Sequence, residues 1–304
     1  MGKIIVIAGA TGNLGGKIVK ALNAKGAEVR AIVRLETDLN KIKALEQQGV
    51  SVFQVDTGNT SEIARHCLGA DCLVSALAGL RETVIDTQKI FLDAAVEANV
   101  PRFISSDYSI DYTDLKEGEN RNLDLRRAFQ RYLDNTPIKA TTIFNGAFMD
   151  LLTTDMPLIL FKQKRILCWG TPNQMMEFTT TQNVAEFTAE AAMDDNTPRY
   201  LRIAGDRLSC NDFVKLLTEL TGSNYKLLKP GGIGVLNFLI RFTRFLSPSK
   251  TELYPAWQGM QYMRDMMEGR IVFQKYDNNR YINIGWTSVR EFLKKEKIKD
   301  IQTH

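Results

Sequence analysis

Residues 3–26 read KIIVIAGATGNLGGKIVKALNAKG. Ile4 to Ala8 form an unbroken apolar run that Gly9 closes. A run without polar alternation suits a strand buried on both faces, as in a parallel sheet. Leu14, Ile18, Val19 and Leu22 then recur at helical spacing, and Gly26 stops the pattern as a C-terminal cap does. Gly9, Gly12 and Gly15 stand between the two elements with G-x-x-G-x-x-G spacing. A tight turn needs the first glycine, and a pyrophosphate pressed against backbone needs the second. The third lets the helix approach the strand. Thr11, Asn13 and Leu14 fill the loop and the first helical turn, whose free N–H groups and partial positive charge suit phosphate. Strand, glycine loop and helix in this order predict a dinucleotide-binding turn.

Moving outward, the same alternation continues. AEVRAIVR, VSVFQVD, DCLVSALAG and RFISSD read as strands. LNKIKALEQQG, TSEIARHCLGA (opened by a Thr/Ser cap) and TVIDTQKIFLDAAVEANV read as helices. Five strands and four helices thus alternate over the first 107 residues. Right-handed crossovers make this a doubly wound, Rossmann-type parallel sheet, with ligands at the carboxyl ends of the strands. The second half is less regular. It offers helices at NLDLRRAFQRYLDN, QNVAEFTAEAAMDD, SCNDFVKLLTELTG, VLNFLIRFTRFL, AWQGMQYMRDMMEG and SVREFLKKEKIK, and strands at KATTIFNG and RYLRIAG. The expected organisation is a nucleotide-binding domain over 1–150 and a smaller, mostly helical substrate lobe over 151–304. No linker separates them, so the lobe is expected to interleave with the first domain. VLNFLIRFTRFL is apolar with two arginines, which leaves a membrane contact open, but its sparse polar face favours burial in the lobe or at a dimer contact. Met260, Met263, Met266 and Met267 are expected to pack in a core.

Composition narrows the class. The 304 residues carry 39 basic and 35 acidic side chains, a net charge of +4 spread too thinly to imply nucleic-acid binding. Cys67, Cys72, Cys168 and Cys210 make no Cys-x-x-Cys pair. The two histidines are His66 and His304, so neither a metal site nor a disulfide framework is expected. There is no signal-peptide pattern and no membrane-length apolar run. A cytoplasmic protein is expected, as monomer or homodimer.

The second strand ends at Arg34, where NAD-binding units usually place an acid on the ribose 2′-hydroxyl. A guanidinium suits a 2′-phosphate instead. NADP(H) is therefore expected over NAD(H), although Glu36 and Asp38 stand close enough to oppose it.

These residues resemble the NmrA-like branch of atypical short-chain dehydrogenases, and within it the isoflavone reductase and phenylcoumaran benzylic ether reductase group. The resemblance rests on GATGNLGGKIVKAL, VRAIVR, FQVDTGN, VSALAG, PRFISSDYSID, TTIFNGAF and GWTSVREFLKK. It spans nearly the whole chain and is looser after residue 150. It implies that Asp56 and Thr57 line an adenine pocket, that Ala76, Leu77 and Ala78 pass under the cofactor, and that Asn145 approaches the nicotinamide. It also implies a pocket for a small apolar or aromatic molecule. Members of the branch are either reductases or NADP(H)-sensing regulators that bind a protein partner, so both readings stay open.

Two residues are candidates for catalysis. In the ether reductases a lysine on the helix after the fifth strand is thought to move the proton, and alignment of LDLRRAFQRYL puts Arg126 there. Arginine does not release its proton, but it can hold an oxyanion. Tyr108 follows the fifth strand, where ligands gather. A third motif, Tyr112 and Lys116, has the spacing of the short-chain dehydrogenase dyad. It lacks the long helix that would put both on one face, since Gly118 follows at once. It is not expected to act as that dyad.

Overall fold

The computed structural model describes residues 2–154, 156–271, 273 and 275–296. His304 and the last residues of the expected C-terminal helix, 297–299, lie outside them.

Residues with no polar face end up between two helical layers. β1 (Ile4–Ala8), β2 (Glu28–Arg34), β3 (Ser51–Val55), β4 (Cys72–Ser75), β5 (Arg102–Ile104), β6 (Lys139–Phe144) and β11 (Tyr200–Arg202) form one seven-stranded sheet. Its order is β11-β6-β5-β4-β1-β2-β3, and every described pairing in it is parallel. The chain reverses its direction of winding at β1, between β2 and β4, so a crevice opens there at the carboxyl ends of the strands. Ile5, Val6, Ile7 and Ala8 have no exposed surface, which suits a central strand.

Two hydrophobic cores flank the sheet. On one face α1 (Asn13–Ala24) packs against α6 (Thr181–Met193), uniting Ile18, Val19 and Leu22 with Val184, Phe187 and Ile143. On the other, α3 (Thr60–Cys67), α4 (Gln88–Glu97) and α5 (Arg121–Leu133) bury Ile63, Phe91, Leu92, Phe103 and Phe129. α2 (Leu39–Glu46) lies beside β3. The N-cap of α3 is Asn59, whose side chain accepts from Glu62 N at 3.1 Å, in place of the Thr/Ser cap expected from sequence. A π-helical turn over Glu82–Thr87 leads into α4.

Chain from the second half thus completes the first body, because α6 and β11 lie beyond residue 150. The rest forms a third core around Phe178, Phe213, Leu217, Leu236 and Met266. It is less helical than its sequence suggests. β7 (Ala147–Phe148), β10 (Met176–Thr179) and β12 (Asp206–Leu208) make one three-stranded sheet. β8 (Ile159–Leu160), β9 (Arg165–Leu167) and β13 (Lys226–Leu228) make another. Strands of two to four residues are too short for a period of two to emerge in the sequence.

Helices α7 (Cys210–Thr221), α8 (Ile233–Leu246), α9 (Ala256–Met267) and α10 (Val289–Lys295) complete the lobe. Met263, Met266 and Met267 are buried in it and Met260 packs against it. α8 departs from expectation. Only Leu236 and Ile240 are buried, against α9, while Phe238 is 65% and Phe245 83% exposed. Its sequence carries two apolar stripes, and one stays largely exposed.

Candidate active site

The glycine loop lies at the carboxyl end of β1, in the crevice. Gly9 has φ +88°, and a Cβ there would lie 2.6 Å from Ala76 O. A Cβ on Gly15 would lie 2.1 Å from Gly9 O. Protein packing therefore demands glycine at both positions. Gly12 differs. Its φ of −82° is open to any residue, and a Cβ would meet only Gly9 O, at 3.3 Å. Its bare backbone faces outward, as close approach of a ligand requires. Gly12 is also the N-cap of α1, with no side-chain cap and no acid in the first turn. The helix N-terminus at Asn13 and Leu14 is left to bind an anion. Exposed Thr11 borders it.

Arg34 closes β2 and pairs with Glu36 at 3.2 Å, both side chains more than two-thirds exposed. Such a pair holds its guanidinium weakly. Asp38 is already engaged: its carboxylate caps α2 through Asn40 N at 2.8 Å and Lys41 N at 3.3 Å. The two acids that seemed able to oppose Arg34 are thus unequal. One is an exposed partner of Arg34, and the other is tied to the backbone. At the end of β3, Asp56 accepts from Gly58 N at 2.8 Å and Thr57 is half-buried beside it.

Beyond β4 the chain runs through Ala76, Leu77 and Ala78 without regular structure. Ser106 ties this segment to the end of β5, donating its hydroxyl to Leu77 O at 2.5 Å. Gln88 Oε1 accepts from Ser106 N at 2.8 Å. After β6, Asn145 is fully buried. Its backbone N–H donates to Ser109 O at 3.0 Å, its O accepts from Thr179 at 2.7 Å, and its Nδ2 donates to Gly146 O at 3.2 Å. Asn145 Oδ1 and, at the end of β4, Ser75 Oγ have no partner among the described residues. An unpaired buried polar atom costs about 1–3 kcal/mol. Both lie at carboxyl ends of the sheet, after β4 and β6 with β5 between them, and each marks a place where a polar ligand or water fits.

The catalytic candidates are placed very differently. Arg126, half-buried on α5, donates from Nε to Asp107 O at 2.9 Å and from Nη1 to Asn122 O at 3.1 Å. Its Nη2 donates to nothing among the described residues. Burial alone would lower its pKa, but Tyr262, Tyr254, Asp107 and Tyr112 outweigh that and hold it above the ordinary value. It is a fixed cation at the end of β5 with donors to spare. Tyr108 instead turns away. A left-handed φ of +31° sends its ring into the core shared by Ile104, Val184 and Phe187. Its hydroxyl lies against Thr188 without a hydrogen bond of normal geometry, and burial raises its pKa.

Tyr112 belongs to a buried network. Its hydroxyl donates to Asp107, which also accepts from Ser105 and from Gln130 Nε2 at 2.5 Å. Arg199 extends the network outward, donating to Thr142 Oγ1 at 2.8 Å and to Asp134 at 2.8 Å. Burial first, then the charge of Asp107, raises the Tyr112 phenol well above its usual range. Lys116 is exposed, and residues 111–119 form no helix. The spacing of the dyad is present without its geometry. Sequence reading did not single out Asp107, Gln130 or Arg199, which fix the loop carrying the candidate site. Their only linear signal is an acid directly after a strand.

A doubly wound sheet with an anion-receptive glycine loop at its switch point defines a nucleotide-binding protein of the Rossmann class. A model described as the NmrA-like family matches residues 1–230, and the chain belongs to that family. The bifunctional pinoresinol-lariciresinol reductase 1 of Linum usitatissimum is 25% identical over 235 residues, 72% of this chain and 75% of that protein. Among solved structures, AtPrR2 with NADP+ and (+)pinoresinol superposes with a TM-score of 0.82 at 19% identity, covering 97% of this chain and 98% of that one. The NADPH-dependent quinone oxidoreductase QOR2 of Escherichia coli, complexed with NADPH, gives 0.78 at 17% identity, covering 96% and 99%. At these identities the structures establish a shared fold.

Proposed function

We propose that the protein is an NADP(H)-dependent reductase of a small apolar or aromatic compound. The observation that carries this reading is Gly12. Nothing in the protein strictly requires a glycine there, yet the position faces the bare N-terminus of α1. Thr11, Gly12, Asn13 and Leu14 would hold the pyrophosphate, Arg34 the 2′-phosphate, and Asp56 and Thr57 the adenosine. Asn145 and the Ala76–Ala78 segment would hold the nicotinamide end, filling the unpaired Asn145 Oδ1. The pinoresinol, isoflavone and quinone reductases among its relatives and fold neighbours support the substrate class.

NADPH, when bound, supplies a hydride. The chain's own part is to orient the acceptor and stabilise the charge that develops on its oxygen. Arg126 Nη2 supplies donors for that oxygen. Arginine keeps its proton, so the proton comes from solvent or from a phenol near Arg126. Tyr262 is one such phenol, and burial pushes it up to about 12, so it is protonated at neutral pH. Arg126 in place of lysine also supports a second reading, an NADP(H) sensor without turnover. NADPH oxidation with a panel of quinones, enones and benzylic ethers separates the two. Turnover that falls about a hundredfold on Arg126→Ala, with NADPH binding unchanged, supports the reductase. Tight NADPH binding without turnover on any compound supports the sensor.

A further inference from the structure

The unpartnered face of α8 points to a specific surface. Val235, Phe238, Phe242, Phe245 and Leu246 are five of the eleven strongly exposed large apolar side chains among the described residues. They lie along one side of a single helix, opposite Leu236 and Ile240, and the rings of Phe238 and Phe242 stack at 6.0 Å. A contiguous apolar stripe of this kind marks an interaction site.

Charge selects the occupant. Between Glu219 and Glu252 the sequence has Lys226, Lys229, Arg241, Arg244 and Lys250 and no acid. That is +5 in a chain whose net charge is +4, so the remainder is −1. All five are exposed. None forms an ion pair among the described residues, although fourteen such pairs occur elsewhere. Arg241 borders the phenylalanine stripe directly. A second copy docked face to face across a two-fold axis would set this cluster against itself. An anionic bilayer meets both features, taking phenylalanines into the headgroup boundary and leaving Arg241 at lipid phosphates, while Arg244 lies over the Trp257 ring at 5.1 Å and adds its charge from the flank. Fourteen residues make about 21 Å of helix, too short to span a hydrocarbon core of about 30 Å but suited to lie along it.

We propose that α8 is a peripheral membrane anchor for anionic phospholipid. Co-sedimentation of the full chain tests it, using vesicles of phosphatidylcholine alone or with roughly one-third phosphatidylglycerol. The expected result is binding to the anionic vesicles, released by high salt, with little on the neutral ones. Arg241→Glu should weaken partitioning by about fivefold or more. Phe242→Ser combined with Phe245→Ser should weaken it by about tenfold or more. Both variants should keep the wild-type unfolding midpoint. Equal binding to neutral vesicles, no binding to anionic ones, or an unaffected double-serine variant would overturn the proposal. So would a wild-type dimer, seen by light scattering, that the double variant converts to monomer, since that would assign the stripe to a second copy.

Discussion

Alanine at the three glycines of the loop should separate packing from ligand binding. At Gly9 the substitution combines a left-handed φ of +88° with a 2.6 Å approach to a backbone carbonyl. At Gly15 the approach is 2.1 Å, again to backbone. Neither obstacle can swing aside, so each variant should lose about 2–4 kcal/mol of stability. At Gly12 the backbone angle is ordinary and the nearest atom lies at 3.3 Å. Alanine there weakens an N-cap slightly and presses on Gly9 O at a tight 3.3 Å, while it restrains the unfolded chain, leaving a cost of about 1 kcal/mol, smaller than at Gly9 or Gly15. The added methyl would nevertheless stand where a pyrophosphate meets backbone. Gly12→Ala should therefore melt close to wild type and bind NADPH about tenfold or more weaker. Thermal unfolding followed by dye fluorescence gives the first quantity, and the fluorescence of bound NADPH the second. A Gly12→Ala variant that binds NADPH as tightly as wild type would refute the placement of phosphate at this glycine. A Gly15→Ala variant as stable as wild type would refute the packing.

Three further outcomes follow from the side chains. Arg34→Ala should raise the Kd for NADPH about tenfold or more while leaving NADH nearly unchanged, because the guanidinium reaches only a 2′-phosphate; parallel titrations decide it. Tyr112→Phe removes a buried donor to Asp107 and should cost about 1–3 kcal/mol of stability. Its turnover should stay within an order of magnitude of wild type, whereas loss of a catalytic phenol costs about a hundredfold or more. Burial, opposed by Arg264 and Asn120, raises Asp265 from 3.8 to about 6. The folded chain then holds this proton more tightly than the unfolded chain does. Its stabilising contribution is full below about pH 4 and is lost as pH rises through about 6. The unfolding midpoint of wild type, measured relative to Asp265→Asn, should rise on going from neutral pH to about 5; parallel profiles would contradict this.

The first 107 residues were legible because their central strands are short apolar runs buried on both faces and their helices are buried on one, so strand and helix carry different patterns. The small sheets were not. β10 pairs with β12 across the 26 residues between Thr179 and Asp206, in strands of three or four residues, a contact that only the folded chain creates. Arg34 could be read as a phosphate ligand, but not that Asp38 would be occupied as a cap. Tyr108 shows the limit most clearly. Its position after β5 was readable, whereas the left-handed backbone that turns its ring into the core was not. Apolar periodicity likewise placed α8 on a helix without revealing that one of its two apolar stripes stays uncovered.

Calorimetric titration of the wild-type chain with NADPH and then with NADH tests the account at its centre. One site per chain, with NADPH bound about tenfold or more tighter than NADH, is the predicted result. Absence of saturable NADPH binding, or equal affinity for both nucleotides, would contradict it.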